Sequence, residues 1–506
     1  MTSHHQIAII GTGFAGLGMA ATLLQQGITE FVMFERAGEV GGTWRDNTYP
    51  GCACDVKSDL YSFSFAPNPD WSHRYARQPE ILAYLRCVAD EFGLRPHIRF
   101  GHEVEEARWD NAEALWRIRT SGGTSTARIL ISGHGPLLQP RWPQLPGLET
   151  FAGPRFHSAR WDHGVDLSGK RVGVIGTGAS AIQFIPEVQK VAARLTVFQR
   201  SAPWIMPRMD APTSPRRRAL YRRYPVLQRL SRQWIFGVAE ARFLTFSNER
   251  FRRLAEELGR QHLAAQVPDP ALRARLTPDY RLGCKRVLVS DDFYPAMTQP
   301  NVDLVTARIT AVRGSSVVTD DGQEHELDVL IAGTGFDATH PAIFRVLHGR
   351  DGRSLAECWQ PMQALHGTTV AGFPNLFLIV GPNTGLGHNS MVYIMEAQIG
   401  YIMQALSYLE RGHLLALEPH PEAQAAYNAA LQKKLREAVW SQGGCTSWYL
   451  DENGHNGTLW PERAVNFRRT LRRFDPALYH ARLSPRPLPA LRVCFKRVCG
   501  VSRSRV

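Results

Sequence analysis

The chain has 506 residues, 44% of them hydrophobic and 21% charged, and a formal net charge of +13. This length predicts two or three domains, and the composition excludes a disordered chain. The segment 463–506 supplies +11 of the charge, with twelve Lys and Arg against one acid, Asp475. We expect this basic tail to be solvated or partly disordered. It has no clean amphipathic period, so we predict no nucleic-acid partner.

The cysteines and the apolar segments predict a cytoplasmic protein. The chain enters a strand at once, without a signal peptide, and no apolar run approaches the roughly 20 residues that cross a bilayer. Eight cysteines without framework spacing indicate a reducing compartment and free thiols. Cys52 and Cys54 have the spacing of neither a zinc site nor a redox pair, so we expect loop packing there and no metal site.

A dinucleotide-binding signature opens the chain. The apolar run 6–10 predicts a buried parallel strand, and an apolar-periodic helix follows over 17–26. Gly11, Gly13 and Gly16 lie between them, where they permit a tight turn, backbone approach to a pyrophosphate, and close packing of helix on strand. Glu35 ends the second strand, where a carboxylate accepts hydrogen bonds from ribose hydroxyls. This arrangement favours FAD.

A second copy of the signature begins with the strand 171–175. Its glycine turn contains Gly176, Gly178 and Ser180, and its next strand, 195–198, ends in Gln199, Arg200 and Ser201. The acid at the strand end is therefore replaced by Gln199, and Arg200 follows it. A cation there favours the 2′-phosphate of NADPH through charge-assisted hydrogen bonds.

Three further motifs are informative in combination. They are Gly41-Gly42-Thr43-Trp44 with Tyr49-Pro50-Gly51 and Asp55; the set Phe151, Gly153, His157, Trp161 and Asp162; and Lys285-Arg286 followed by Tyr294 and Pro300-Asn301-Val302. Taken singly, each is consistent with ordinary turns, packed aromatics or surface charge. Together with the two glycine turns, they resemble type I Baeyer–Villiger monooxygenases over roughly residues 6–460.

The resemblance implies a function and roles for particular residues. NADPH would reduce FAD, and a C4a-peroxyflavin formed with O2 would insert oxygen beside the carbonyl of a ketone. Arg286 would be the catalytic arginine, Asp55 its partner beside the flavin, and Lys285 a contact for the NADP phosphate. Gly41-Gly42 would permit backbone near the cofactor, Thr43 and Trp44 would bind the cofactor, and Trp44 would cover a ring. The family often has Pro after the arginine; Val287 stands here, which puts the local loop shape in question.

Two residues have roles that the residues alone leave open. His157, in the motif between the two glycine signatures, would couple the position of the NADP domain to the flavin site. Trp448, in a loop near the C-terminus that resembles the family's mobile loop, would reach the nicotinamide cofactor. Burial in the core is an equally good expectation for Trp448.

The predicted fold class is α/β, with two doubly wound Rossmann-like domains. Residues 1–140 and 331–462 form the FAD domain, 141–330 form the NADP domain, and 463–506 form the basic tail. A helical insertion spans about 206–282, and its arginines are expected on solvated polar faces. The segment 136–147, with four prolines, is expected to be a stiff linker.

Three alternatives differ in function. A flavin-containing monooxygenase acting on nitrogen or sulfur, for example on a sulfide, would lack the Trp161-Asp162 ending of the motif. A pyridine-nucleotide disulfide reductase would need a redox cysteine pair beside the flavin signatures. A regulatory flavoprotein that binds NADPH and a partner through its basic tail is the alternative outside enzymology; partner proteins are not specified by the sequence.

Overall fold

The computed structural model describes residues 2–337 and 341–484. The first 135 residues contain six strands and three helices, and they begin the first domain. The strands are β1 (Ser3–Ile10), β2 (Phe31–Glu35), β3 (Ile98–Phe100), β4 (Val104–Asp110), β5 (Leu115–Thr120) and β6 (Gly123–Ser132). The helices are α1 (Phe14–Gln25), α2 (Thr43–Asp46) and α3 (Gln78–Glu91).

The second domain follows and is continuous in sequence. Its strands are β7 (Arg155–His157), β8 (Arg171–Ile175), β9 (Arg194–Phe198), β10 (Ile205–Met206), β11 (Leu288–Val289), β12 (Val302–Val305), β13 (Ile309–Arg313), β14 (Ser316–Thr319), β15 (Glu324–Glu326) and β16 (Val329–Ala332). Its helices are α4 (Ala181–Gln189), α5 (Pro215–Arg223), α6 (Pro225–Arg242), α7 (Leu244–Ser247), α8 (Glu249–Gln266), α9 (Pro270–Arg275) and α10 (Phe293–Met297). The segment predicted to be helical over 206–282 contains α5 to α9.

The rest of the chain returns to the first domain. Its helices are α11 (Ile343–Val346), α12 (Leu355–Cys358), α13 (Met391–Arg411), α14 (Pro421–Arg436), α15 (Val439–Gln442) and α16 (Ala464–Thr470). Its strands are β17 (Leu347–His348), β18 (Leu376–Leu378), β19 (Leu414–Pro419) and β20 (Tyr479–Leu483). Short 3-10 helices occur at Arg95–His97, Leu148–Thr150, Ser158–Arg160 and Pro476–Leu478.

Two sheets organise the molecule, and the predicted α/β class is confirmed. The first sheet has the order β17-β4-β5-β6-β1-β2-β3, with β18 also paired to β6. The second has the order β12-β9-β8-β16-β7, and every pairing in it is parallel. The apolar runs predicted as buried strands, β1 and β8, lie inside these sheets, because a parallel strand covered on both faces needs apolar residues throughout.

The two chain crossings between the domains run side by side. The outgoing segment 133–147 and the returning segment 333–337 form an antiparallel bridge between Pro140 and Phe336. Arg141 N donates to Gly335 O (2.9 Å), and Asp337 N donates to Gln139 O (3.0 Å). The predicted linker is therefore half of a two-stranded connection.

Residues 155–157 of the motif 151–162 form β7 at the edge of the second sheet. One expectation about a segment is wrong. The beginning of the basic tail is not solvated: β20 pairs with β19, and Phe467, Leu471 and Tyr479 are buried in the main core of the first domain. Residues 485–506 lie outside the described residues. Within 2–337 and 341–484, no helix has the length and apolar character to cross a membrane.

Candidate active site

At the first glycine turn, two segments of backbone lie in close contact at the start of α1. Gly11 has φ +89°, and a Cβ at Gly16 would overlap the Gly11 carbonyl. A Cβ at Gly42 would lie 3.2 Å from the Cα of Gly13, so the predicted Gly41-Gly42 turn packs on the same place. Because these glycines have no side chains, the N-terminus of α1 is accessible to an anionic group.

Glu35 lies at the end of β2, as the pattern predicted, and it is buried. Its carboxylate accepts from Thr12 N (3.1 Å) and Thr12 Oγ1 (2.7 Å), and it pairs with Arg45 at 3.0 Å. Thr43 and Trp44 open α2 beside the glycine turn. The Trp44 indole donates to Tyr61 Oη (3.0 Å), which fixes the orientation of the ring.

The second glycine turn has the same form. Gly176 has φ +103°, and a Cβ there would lie 2.7 Å from the Gly333 carbonyl oxygen. Gly178 follows, and Ser180 is the N-cap residue of α4. The two copies of the glycine signature in the sequence therefore adopt the same backbone conformation.

Two cations and a hydroxyl group come together after β9. Lys285 Nζ donates to Ser201 Oγ (2.6 Å) and lies 4.7 Å from the centre of the Tyr280 ring. Burial lowers the pKa of Lys285, and the nearby charge of Arg200 lowers it further. Neither Lys285 nor Arg200 forms an ion pair with a carboxylate in the described part of the chain. A bound phosphate would neutralise both charges.

Arg286 and Asp55 join the two domains. Arg286 Nε and Nη2 donate to the same carboxylate oxygen of Asp55, at 2.9 and 2.5 Å, and about a third of each side chain is exposed. The charge of Asp55 raises the pKa of the Arg286 guanidinium, so the cation is permanent. Arg286 Nη1 also donates to the Leu386 carbonyl (3.4 Å). The pair predicted from the resemblance is present in the structure.

The Tyr49-Pro50-Gly51 turn holds Asp55 at this position by docking on α4. Gln183 in α4 accepts from Tyr49 Oη (3.1 Å) and donates to the Ala53 carbonyl (3.0 Å). Gly51 has φ +76°, and a Cβ there would lie 2.5 Å from the Gln183 carbonyl oxygen. The glycine thus allows the first domain to approach the second.

A disulfide bond links the arginine segment to the C-terminal loop. Cys284, next to Lys285, is bonded to Cys445, 161 residues later. The expectation of free thiols throughout is therefore wrong: widely separated cysteines carry no spacing signal, and only the fold brings these two together. Cys52 and Cys54 are free and buried, and burial raises the pKa of Cys52 to about 12.

The same loop carries Trp448 and Tyr449. Trp448 is 39% exposed, so it is not a core residue. Tyr449 is buried, and its burial raises the pKa to about 12 while Arg286 opposes that rise. Sequence reasoning did not single out Tyr449, and the one available signal was its place beside Trp448.

His157 lies apart from the Arg286–Asp55 pair, in β7. It is buried, and its Nδ1 accepts from Ala159 N (3.1 Å), which leaves the ring proton on Nε2. Burial lowers its pKa to about 4, so it is neutral at pH 7. Its ring centre lies 5.8 Å from that of Trp142 and 6.2 Å from that of Phe336. These two aromatics belong to the two interdomain crossings.

The fold and the paired glycine turns define a class, the α/β oxidoreductases with two dinucleotide sites. The model of the FMO-like family, described as flavin-binding monooxygenase-like, matches residues 4–349. The chain belongs to this flavin-binding monooxygenase family.

Individual similar proteins identify a narrower group within this family. A Baeyer–Villiger monooxygenase of Streptomyces coelicolor is 50% identical over 96% of this chain and 94% of its own length. One from Pseudomonas aeruginosa is 48% identical over 96% and 93%. A solved cyclohexanone monooxygenase from Rhodococcus sp. Phi1, bound to NADP+, is 30% identical, with a TM-score of 0.85 over 96% of this chain and 100% of that one. The resemblance to Baeyer–Villiger monooxygenases is confirmed.

The disulfide predicts a redox-dependent stability. Cys284→Ser and Cys445→Ser should each lower the free energy of unfolding by about 2–4 kcal/mol, because the cross-link closes a long loop in the unfolded chain. The double variant should lose no more than either single one. Thermal unfolding with and without dithiothreitol measures this. Reduction should destabilise the wild-type protein and leave the variants unchanged; equal melting of the reduced and oxidised wild-type protein would contradict the assignment.

Proposed function

We propose that the protein is an NADPH- and FAD-dependent Baeyer–Villiger monooxygenase, which converts a ketone, O2, NADPH and a proton into an ester or lactone, NADP+ and water. The observation that carries the proposal is the Arg286–Asp55 ion pair, a permanent cation held between two domains that each contain a dinucleotide-type glycine turn. The names of the relatives support the choice of a ketone over a nitrogen or sulfur substrate.

The residues present fit both cofactors. For FAD, the turn at Gly11, Gly13 and Gly16 is open to a pyrophosphate, and the buried Glu35 supplies ribose acceptors if its bond to Thr12 is exchanged. For NADPH, Gly176, Gly178 and the start of α4 form the second pyrophosphate cradle. Arg200, Ser201 and Lys285 form the cationic group for the 2′-phosphate. These roles are proposals for binding.

When bound, NADPH supplies the hydride and FAD supplies the activation of O2. The work of this chain is electrostatic. Arg286 presents a fixed positive charge to the negative charge that develops at the reacting oxygen, and such preorganised charge is most effective where water is scarce. Asp55 holds the guanidinium plane through two hydrogen bonds. Trp44, held by Tyr61, and the loop with Trp448 would exclude water on either side.

Arg286→Ala should separate the two half-reactions. Loss of the cation should lower ester formation by about 100-fold or more, while NADPH oxidation continues and O2 appears as hydrogen peroxide. Ester by gas chromatography and peroxide by a coupled assay measure the split, with a simple cyclic ketone and a sulfide as substrates. Arg286→Lys keeps the charge and loses the paired hydrogen bonds to Asp55 Oδ2; it is the matched control, and its ester yield should fall between those of the wild type and Arg286→Ala. Unchanged ester yield in Arg286→Ala would overturn the role, and sulfoxidation without any ester in the wild-type protein would favour a heteroatom monooxygenase.

Arg200→Ala and Lys285→Ala should change nucleotide preference. Each should raise KM for NADPH by roughly 10-fold to 100-fold and leave KM for NADH nearly unchanged, since only NADPH carries the 2′-phosphate. Steady-state NADPH and NADH oxidation measures the effect. Arg194→Ala is a suitable control, because Arg194 begins the same strand and pairs with Asp303 instead of facing the site. Equal losses with both nucleotides would contradict the phosphate assignment.

His157→Ala should impair coupling more than flavin binding. We infer this from the contacts of His157 with both interdomain crossings, because a cavity there would loosen the relative position of the domains. The peroxide fraction should rise several-fold while flavin content stays near one per chain. His157→Asn, which keeps an acceptor for Ala159 N, should be less uncoupled. Purification of His157→Ala without flavin would count against this role.

A further inference from the structure

Helix α6 (Pro225–Arg242) departs from the usual arrangement of an amphipathic helix, although Phe236 packs on the main core of the first domain. Its inward side carries polar groups that bond to the first domain. Ser231 donates to Asp59 (2.8 Å), and Arg232 donates to the Asp59 carbonyl (3.0 Å). Near its end, Glu240 accepts from Asn389 (2.7 Å). These bonds fix which face of α6 points outward.

The outward face is apolar. Side chains four residues apart lie in one stripe along a helix, and four such positions are exposed: Val226 by 57%, Leu230 by 55%, Trp234 by 75% and Val238 by 38%. Gly237 and Ala241 lie in the same sector and are also exposed. Arg229 on α6 is exposed, in agreement with the expectation for the arginines of the insertion, but the sector around Trp234 is apolar. A continuous apolar stripe of this kind marks a surface that is covered in function.

The surroundings of the stripe are basic. Residues 211–239 contain seven arginines and no Asp or Glu. Arg216 and Arg223 on α5, and Arg229 on α6, are exposed. None of the three forms an ion pair with the described residues. The patch thus combines a central tryptophan, aliphatic neighbours and guanidinium groups that have no carboxylate partner.

The combination of apolar and basic side chains indicates which kind of partner binds this surface. A second copy bound through this face would bring a further segment 211–239, with seven arginines and no Asp or Glu, into the same contact, so this segment offers the arginines no acidic partner. An anionic bilayer suits both the apolar stripe and the arginines. Tryptophan and aliphatic side chains enter the boundary between headgroups and acyl chains, and guanidinium groups bind the lipid phosphates. The helix would lie in the plane of the surface, which does not need a membrane-crossing segment.

We propose that the exposed face of α6, with the arginines of α5 beside it, binds the surface of an anionic lipid bilayer. The stripe of Val226, Leu230, Trp234 and Val238 is the apolar contact, and Arg216, Arg223 and Arg229 are the electrostatic contact. This surface is separate from the Arg286–Asp55 pair, and the proposal does not depend on the substrate.

The test uses the full-length flavin-loaded protein and sedimenting vesicles. Vesicles of phosphatidylcholine with about one-third phosphatidylglycerol should retain the wild-type protein, whereas phosphatidylcholine alone should retain little. The double variant Leu230→Ser/Trp234→Ser should bind at least about 10-fold more weakly, and Arg223→Gln/Arg229→Gln should lose the preference for the anionic lipid. Salt at about 0.5 M should weaken wild-type binding through screening.

Matched controls keep the result specific. Val191→Ser removes an exposed apolar side chain elsewhere in the second domain and should leave vesicle binding unchanged. Flavin content and melting temperature should match the wild type in every variant, because exposed side chains contribute little to stability. A chain ending at Ser484 separates the contribution of the basic residues that follow.

Three outcomes would overturn the proposal. The first is binding that survives Leu230→Ser/Trp234→Ser but disappears in the chain ending at Ser484, which would assign the membrane contact to the tail. The second is a wild-type dimer, by light scattering, that becomes a monomer in Leu230→Ser/Trp234→Ser without any vesicle binding. That result would assign the stripe to a second copy. The third is equal retention of the wild type and the double variant by anionic vesicles.

Discussion

The ion pair of Arg286 with Asp55 is the contact on which the rest of the site depends, because its two members come from different domains. Partly exposed pairs of this kind contribute only about 0–1 kcal/mol to folding, so stability does not explain it. Its value is geometric: a carboxylate with two hydrogen bonds to one guanidinium sets the plane in which the charge is presented. Three neighbouring features serve the same end. Gly51 lets the Asp55 loop dock on Gln183, the Leu386 carbonyl accepts a further hydrogen bond from Arg286, and the Cys284–Cys445 bond anchors the adjacent segment.

A site shared between two domains also needs a defined path for domain movement. The crossings at Pro140 and Phe336 bond to each other, so the domains are joined by a short two-stranded ribbon and not by two separate linkers. His157, with its ring beside both Trp142 and Phe336, packs against both strands of this connection. The buried, neutral imidazole is suited to packing and hydrogen bonding there, and not to proton transfer.

Local chemistry made much of this molecule predictable from the sequence. The glycine turns, the acid at Glu35 and its replacement by Gln199 each follow from what a strand, a turn and a helix need within a few dozen residues. The pairing of Arg286 with Asp55 came only through family resemblance, since 231 residues separate them. The Cys284–Cys445 bond and the position of Tyr449 depend on long-range packing, for which spacing carries no code. The apolar outward face of α6 was not predicted, because arginine content indicates that a helix is polar but not which of its sides the fold will bury.

The return of the chain to the first sheet has a consequence for how the protein is made. Strand β18 pairs with β6 across an intervening second domain, and the main core of the first domain also takes Leu471 and Tyr479. During synthesis, the residues up to Ser132 therefore emerge with an incomplete core. The second domain, whose parallel sheet is continuous from β7 to β16, is able to fold first. The first domain closes only when nearly the whole chain has left the ribosome, so a nascent chain halted before β18 should expose the β6 edge and depend on chaperones.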